Sequence, residues 1–207
     1  MATVVLVQGG FWQDVDGEFF WGRTGVVAGL VEAGVDVVAP DRVRRPPGWG
    51  AEVGVLARAL PAEPAVVVGG SYGCSAAVRV TLAHPDRVSR LLLAWPGTAG
   101  DPEVDARSRE RLAGLGAPPE VIEALLGGDT LRGVTDAELA GLPMPVGVLP
   151  SVPENPSHQR RTVDRLLGVL PDAVELNGCP EPPVPGFAPH LAALVATIAG
   201  FAAGATR

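Results

Sequence analysis

Short β-branched runs closed by Gly or Pro recur along this chain, and longer stretches of helical periodicity separate them. The runs are Val4 to Val7, Val35 to Ala39, Ala65 to Val68, Arg90 to Trp95, Val146 to Leu149 and, more weakly, Ala173 to Leu176. Nearly continuous apolar runs of this length are what parallel strands buried on both faces require. Helical patterns over Gly25 to Ala33, Ala51 to Leu60, Cys74 to Ala83, Arg160 to Leu170 and His190 to Phe201 fill the intervals. Strand and helix in strict alternation fold as an α/β structure with a doubly wound, mostly parallel sheet.

One interval breaks the alternation. From Gly97 to Leu142 the pattern is helical throughout, over Glu103 to Leu115, Pro119 to Leu126 and Thr135 to Leu142. Thr135 and Glu138 stand at capping-box spacing. A helical insertion after a sheet strand is expected either as a small cap over the carboxyl edge, where ligands bind in such sheets, or as a long crossover packed on the core.

Between the third strand and the third helix stands Gly69-Gly70-Ser71-Tyr72-Gly73. Gly-x-Ser-x-Gly arises by chance in a chain with 27 glycines, but here a buried strand leads in and a small-residue helix leads out. That is the context of a nucleophile elbow, in which flanking side chains would collide with the neighbouring strand and helix. The helix N-terminus behind Ser71 favours negative charge developing on a bound substrate.

Charge narrows the partners. The formal charge is −7, and all 16 basic residues are arginine. An acidic chain is a poor fit to nucleic acid or an anionic membrane, which leaves a small-molecule substrate. Arg42, Arg44 and Arg45 are expected in a solvated loop. Cys74 and Cys179 form no metal or redox motif, so neither metal nor organic cofactor is implied. The N-terminus runs from a β-branched stretch straight into a glycine turn, without the basic region of a signal peptide, and no apolar stretch approaches the ~20 residues of a membrane span. A cytoplasmic, soluble protein is expected.

These features together resemble the α/β-hydrolase superfamily. Val7-Gln8-Gly9-Gly10-Phe11-Trp12 is similar to the family's His-Gly-x oxyanion turn with Gln8 in place of histidine. Val37 to Arg42 and His84-Pro85-Asp86-Arg87-Val88 resemble the strand and link that flank the nucleophile unit. The resemblance implies one domain over residues 1–207, with 97–142 as a helical cap. It also implies an oxyanion hole made by the backbone N–H groups of Gly10 and Tyr72.

A serine needs a base, and a histidine oriented by a carboxylate is the usual solution. The family order of serine, acid, then histidine after the last strand selects His190 over His158, while His84 falls in the structural link. The same order places the acid beyond the fifth strand, where Glu154 is the choice because Asn155 stands at the usual aspartate position. Asp101 is the substitute. Phe11, Trp12 and Trp95, with Tyr72, are expected to wall an apolar pocket, whereas Phe19, Phe20 and Trp21 are expected in the core.

The resulting expectation is a serine hydrolase that cleaves a small or medium, largely apolar ester, thioester or lactone through an acyl-enzyme on Ser71. The altered Gln8, Asn155 and final turn keep two alternatives open. One is a lyase, cyclase or acyltransferase of secondary metabolism, and the other a catalytically silent binding member.

Overall fold

The computed structural model describes residues 2–12 and 15–205. Six strands, β1 (Thr3–Val7), β2 (Asp36–Val38), β3 (Ala65–Gly70), β4 (Val88–Ala94), β5 (Val146–Leu149) and β6 (Ala173–Glu175), form one sheet. Their order is β2-β1-β3-β4-β5-β6 and every neighbouring pair is parallel. The central strands β3 and β5 are buried along their whole length, as their unbroken apolar sequences demand.

Alternate residues of each strand feed two separate cores. Val5, Val7, Val67, Leu91, Leu93 and Val148 face α2 (Gly50–Ala59), α3 (Gly73–Ala83) and α7 (Arg160–Val169). Val4, Leu6, Val66, Val68 and Leu92 face α1 (Val26–Glu32) and α8 (Leu191–Ala202). Winding direction reverses between β1 and β3. Connections leave these two strands toward opposite faces, and their carboxyl ends open a crevice.

Three helices lie between β4 and β5: α4 (Pro102–Gly114), α5 (Pro119–Leu126) and α6 (Asp136–Ala140). Leu112, Ile122, Leu125, Leu131 and Leu139 of this segment join the α2/α3 core. The capping box is formed, with Glu138 N–H donating to Thr135 Oγ1 at 3.2 Å and Thr135 N–H donating to Glu138 Oε2 at 2.8 Å. Arg79–Glu138 at 2.6 Å and Arg165–Asp136 at 2.8 Å tie the segment to α3 and α7, and Arg132–Asp105 at 2.7 Å links its own parts. Asp101 caps α4 by accepting from the N–H groups of Glu103 and Val104, both at 2.9 Å. That employment removes it as the substitute acid.

Candidate active site

Ser71 sits where β3 turns sharply into α3, with φ at +53°, a left-handed conformation that costs a non-glycine residue about 1–3 kcal/mol. Its N–H is fixed by Ala94 O at 2.8 Å and its carbonyl by Cys74 N–H at 3.0 Å. Gly73 is required by contact: a Cβ there would run into the carbonyl oxygens of Val7 and Gln8. The close approach of elbow to β1 that the sequence implies is therefore present. Beneath it, burial holds the Cys74 thiol far above its ordinary pKa, so the thiol stays protonated behind the serine.

The partner of Ser71 is His158. Its Nε2 lies 2.8 Å from Ser71 Oγ, and its Nδ1 lies 3.1 Å from Glu181 Oε2. The carboxylate is close, but the Nδ1–H direction is not aimed at it, and Nδ1 makes no hydrogen bond to a described residue. Desolvation acts on both groups in opposite senses. Burial lowers the His158 pKa to about 4 and raises that of Glu181 to about 7.

This geometry corrects the two sequence assignments. His190 opens α8 as its N-cap and does not line the crevice. Glu154 is exposed, and its Oε2 accepts from Arg160 N–H at 2.7 Å, satisfying a free amide at the start of α7. Histidine and carboxylate have in effect exchanged strands: the histidine follows β5 and the acid follows β6. Chain order becomes serine, histidine, acid.

Local structure explains why His158 reaches the serine. Residues 155–158 form a tight reversal in which Ser157 N–H donates to Asn155 Oδ1 at 3.0 Å and His158 N–H to Asn155 O at 3.0 Å. Thr98 clasps this reversal, since its N–H donates to Ser157 O at 2.8 Å and its Oγ1 accepts from Gln159 N–H at 3.0 Å. Asn155 shapes a turn, as its side chain readily does, and no acid is needed at its position. The Glu181 loop is held from below by Trp95, whose Nε1–H donates to Cys179 O at 2.8 Å.

Sequence reasoning missed Glu181 because it occupies the altered final turn where the family's histidine pattern is expected. The available signal was symmetrical. Each of the last two strand ends is followed by one glutamate and one histidine, and the pattern alone does not choose between the pairings.

A cavity of about 220 Å³ opens onto Ser71, His158 and Glu181. Gly10, Phe11, Val15, Phe19, Phe20 and Tyr72 form much of its wall, and Arg111 reaches it from α4. Trp12 and Trp95 do not line it, contrary to expectation. The Trp12 indole donates to Pro46 O at 2.9 Å under the Arg45 guanidinium, and Trp95 is fully buried against Trp21 and Phe20. Phe20 is both core and wall, and Phe19 stands partly exposed at the rim.

Gly10, at φ +94°, turns the chain beyond β1 so that it borders the cavity beside Tyr72. Neither the Gly10 nor the Tyr72 N–H donates to a described protein acceptor. This turn is held by Arg42, which is not in a solvated loop. Its Nη1 donates to Gln8 O and Gly10 O, each at 3.0 Å, while Nε and Nη2 grip Glu52 at 2.8 and 2.6 Å. The pair is buried, with side-chain exposures of 7% for Arg42 and 0% for Glu52. With its amide nitrogen turned to Pro40 O and its oxygen to Arg42 N–H, the orientation that satisfies both, Gln8 bridges them at 3.1 and 2.9 Å and fastens this loop to β1.

The fold has counterparts among solved structures. The meta-cleavage product hydrolase CumD from Pseudomonas fluorescens IP01 superposes with a TM-score of 0.69 at 18% identity, covering 100% of this chain and 92% of its own. The esterase RhEst1 from Rhodococcus sp. ECU1013 gives 0.64 at 19% identity over 98% and 90%. A serine hydrolase from Cycloclasticus zankles gives 0.67 at 17% identity over 99% and 91%. No protein-family model matches the sequence, and no curated protein is significantly similar to it. The protein has the α/β-hydrolase fold.

Proposed function

We propose that this protein is a serine hydrolase that cleaves a small ester, thioester or lactone through an acyl-enzyme on Ser71, with His158 as the base and Glu181 as its acid. The reading rests on the 2.8 Å contact between Ser71 Oγ and His158 Nε2 at a strained strand-to-helix elbow. A neutral imidazole at that distance takes the hydroxyl proton as Oγ attacks the carbonyl carbon. The N–H groups of Gly10 and Tyr72 receive the oxyanion, helped by the N-terminus of α3. Collapse of the tetrahedral intermediate expels the alcohol or thiol, protonated from Nε2. Water then attacks the acyl-enzyme by the same route in reverse.

Burial keeps the His158 imidazole unprotonated, and so free to accept the hydroxyl proton, through the neutral range. Glu181 contributes once ionised, by stabilising the imidazolium 3.1 Å away. The cavity of about 220 Å³ is smaller than the ~300–1,000 Å³ of sites for drug-sized ligands, which favours a short acyl group.

The test is hydrolysis of p-nitrophenyl acetate and butyrate. Ser71→Ala and His158→Ala are expected to lose at least about 10⁴-fold in kcat, and Glu181→Gln less. His190→Ala and Glu154→Gln are expected to stay within about twofold of the parent. Full activity in His158→Ala, or a silent Ser71 toward a fluorophosphonate probe, overturns the assignment.

A further inference from the structure

Arg111 is the one cation among the cavity-lining residues, and its placement follows from helix geometry. Val104 and Ser108 are buried positions of α4, and Arg111 lies three residues beyond Ser108 and seven beyond Val104, on the same stripe. The buried stripe faces the core, and Arg111, exposed beside it, lines the cavity. Its neighbour Arg109, turned away from that stripe, pairs with Glu123.

Arg111 itself has no ion pair or side-chain hydrogen bond to a described residue. Glu181, the acidic residue lining the same cavity, owes its raised pKa of about 7 to desolvation alone, with no compensating contribution from a cation. The guanidinium is therefore available to something that enters. The same cavity is lined by Phe11, Val15, Phe19 and Phe20, an apolar wall that suits a short methylene chain.

We propose that the substrate acyl chain ends in a carboxylate that Arg111 receives, so that the preferred substrates are monoesters of short dicarboxylic acids. This specificity rests on the hydrolase reading above. A guanidinium fork matches a carboxylate bidentately, and the methylene spacer between the two ends sets the chain length.

Monoethyl glutarate and monoethyl adipate are compared with ethyl valerate and ethyl hexanoate by pH-stat, using the parent, Arg111→Gln and Arg111→Glu. The residue is exposed and makes no bond to a described side chain, so both variants should fold. The parent is expected to favour a monoester over its uncharged counterpart by roughly 10- to 100-fold in kcat/KM, the worth of a hydrogen bond to a charged group. Arg111→Gln should abolish that preference, the monoester losing its advantage in KM over its uncharged counterpart, and Arg111→Glu should invert it.

Binding of glutarate and valerate to the Ser71→Ala protein by calorimetry separates the two readings. Arg111-dependent glutarate binding without ester turnover sustains the anion site and sinks the hydrolase. Ser71-dependent turnover of ethyl valerate with no monoester preference, or a preference that survives in Arg111→Gln, sinks the anion site and leaves the hydrolase standing. Neither turnover nor glutarate binding overturns both.

Discussion

The opposed effects of burial on His158 and Glu181 predict that the pair exchanges a proton when the chain folds. In the unfolded chain, between about pH 4.5 and 6.5, the ordinary values for the two groups, the acid is ionised and the imidazole charged. In the folded pair, with values near 4 and 7, the acid is protonated and the imidazole neutral. The proton count is the same in both states, so the pair adds almost no slope to stability against pH in this window. Glu181→Gln leaves the lowered His158 value alone. Its contribution is then fully present above pH 6.5 and disappears as pH falls through 4, a swing of about 3 kcal/mol. His158→Phe leaves the raised Glu181 value, whose contribution is present below pH 4.5 and disappears as pH rises through 7. Urea midpoints from pH 4 to 8 should therefore tilt in opposite directions in the two variants, and parallel curves would refute the exchange. The same values predict that kcat/KM climbs through a limb near pH 7 as Glu181 ionises. Glu181→Gln should lose that limb, while His158 still titrates near 4.

At the scale of elements, the turn after β1 depends on a charge brought from the segment after β2. Arg42 is bonded both to the carbonyls of this turn and to buried Glu52 on α2. Arg42→Met strands the Glu52 carboxyl without a partner, an expected loss of about 3–5 kcal/mol by denaturant unfolding. Arg42→Lys keeps the charge but not the fork. It should recover part of the stability while kcat stays low, because Gly10 is no longer held against Ser71. Equal recovery of both would show that the turn holds itself. The strands and helices around this turn were legible because each is set by its own few residues: unbroken apolar runs for β3 and β5, a Thr135–Glu138 capping box for α6. The elbow at Ser71 and the turn at Gly10 belong to the same kind, since strand, turn and helix are contiguous there. Base and acid do not. Which of His158 and His190 approaches Ser71 depends on how two long loops run. That path is set by the clasp of Thr98 on residues 157–159 and by the Trp95 bond to Cys179, contacts between segments more than 50 residues apart. Local pattern carries no record of them, and the family order pointed to the other pair.

For the molecule as a whole, a buried arginine ties the α4–α6 segment to the turn after β1 and to the elbow. Arg132 leaves the segment after α5, is fully buried, pairs with Asp105 on α4, and sets its guanidinium 5.7 Å from the Phe11 ring and 5.9 Å from that of Tyr72. Those rings stack at 4.5 Å and wall the cavity from opposite chain segments, the turn after β1 and the elbow. Removing the carboxylate with Asp105→Asn leaves the guanidinium buried without its counter-charge, expected to cost ~3 kcal/mol. The leucines of the α4–α6 segment share a core with α2 and α3, so this loss should lower the midpoint of a single cooperative transition. A separate early transition by near-ultraviolet circular dichroism would mean that this segment unfolds alone, and that the shared core does not bind it to the sheet. Under the first outcome, KM should rise with little change in kcat, because the stacked rings shape the cavity while Ser71 and His158 are held by other contacts.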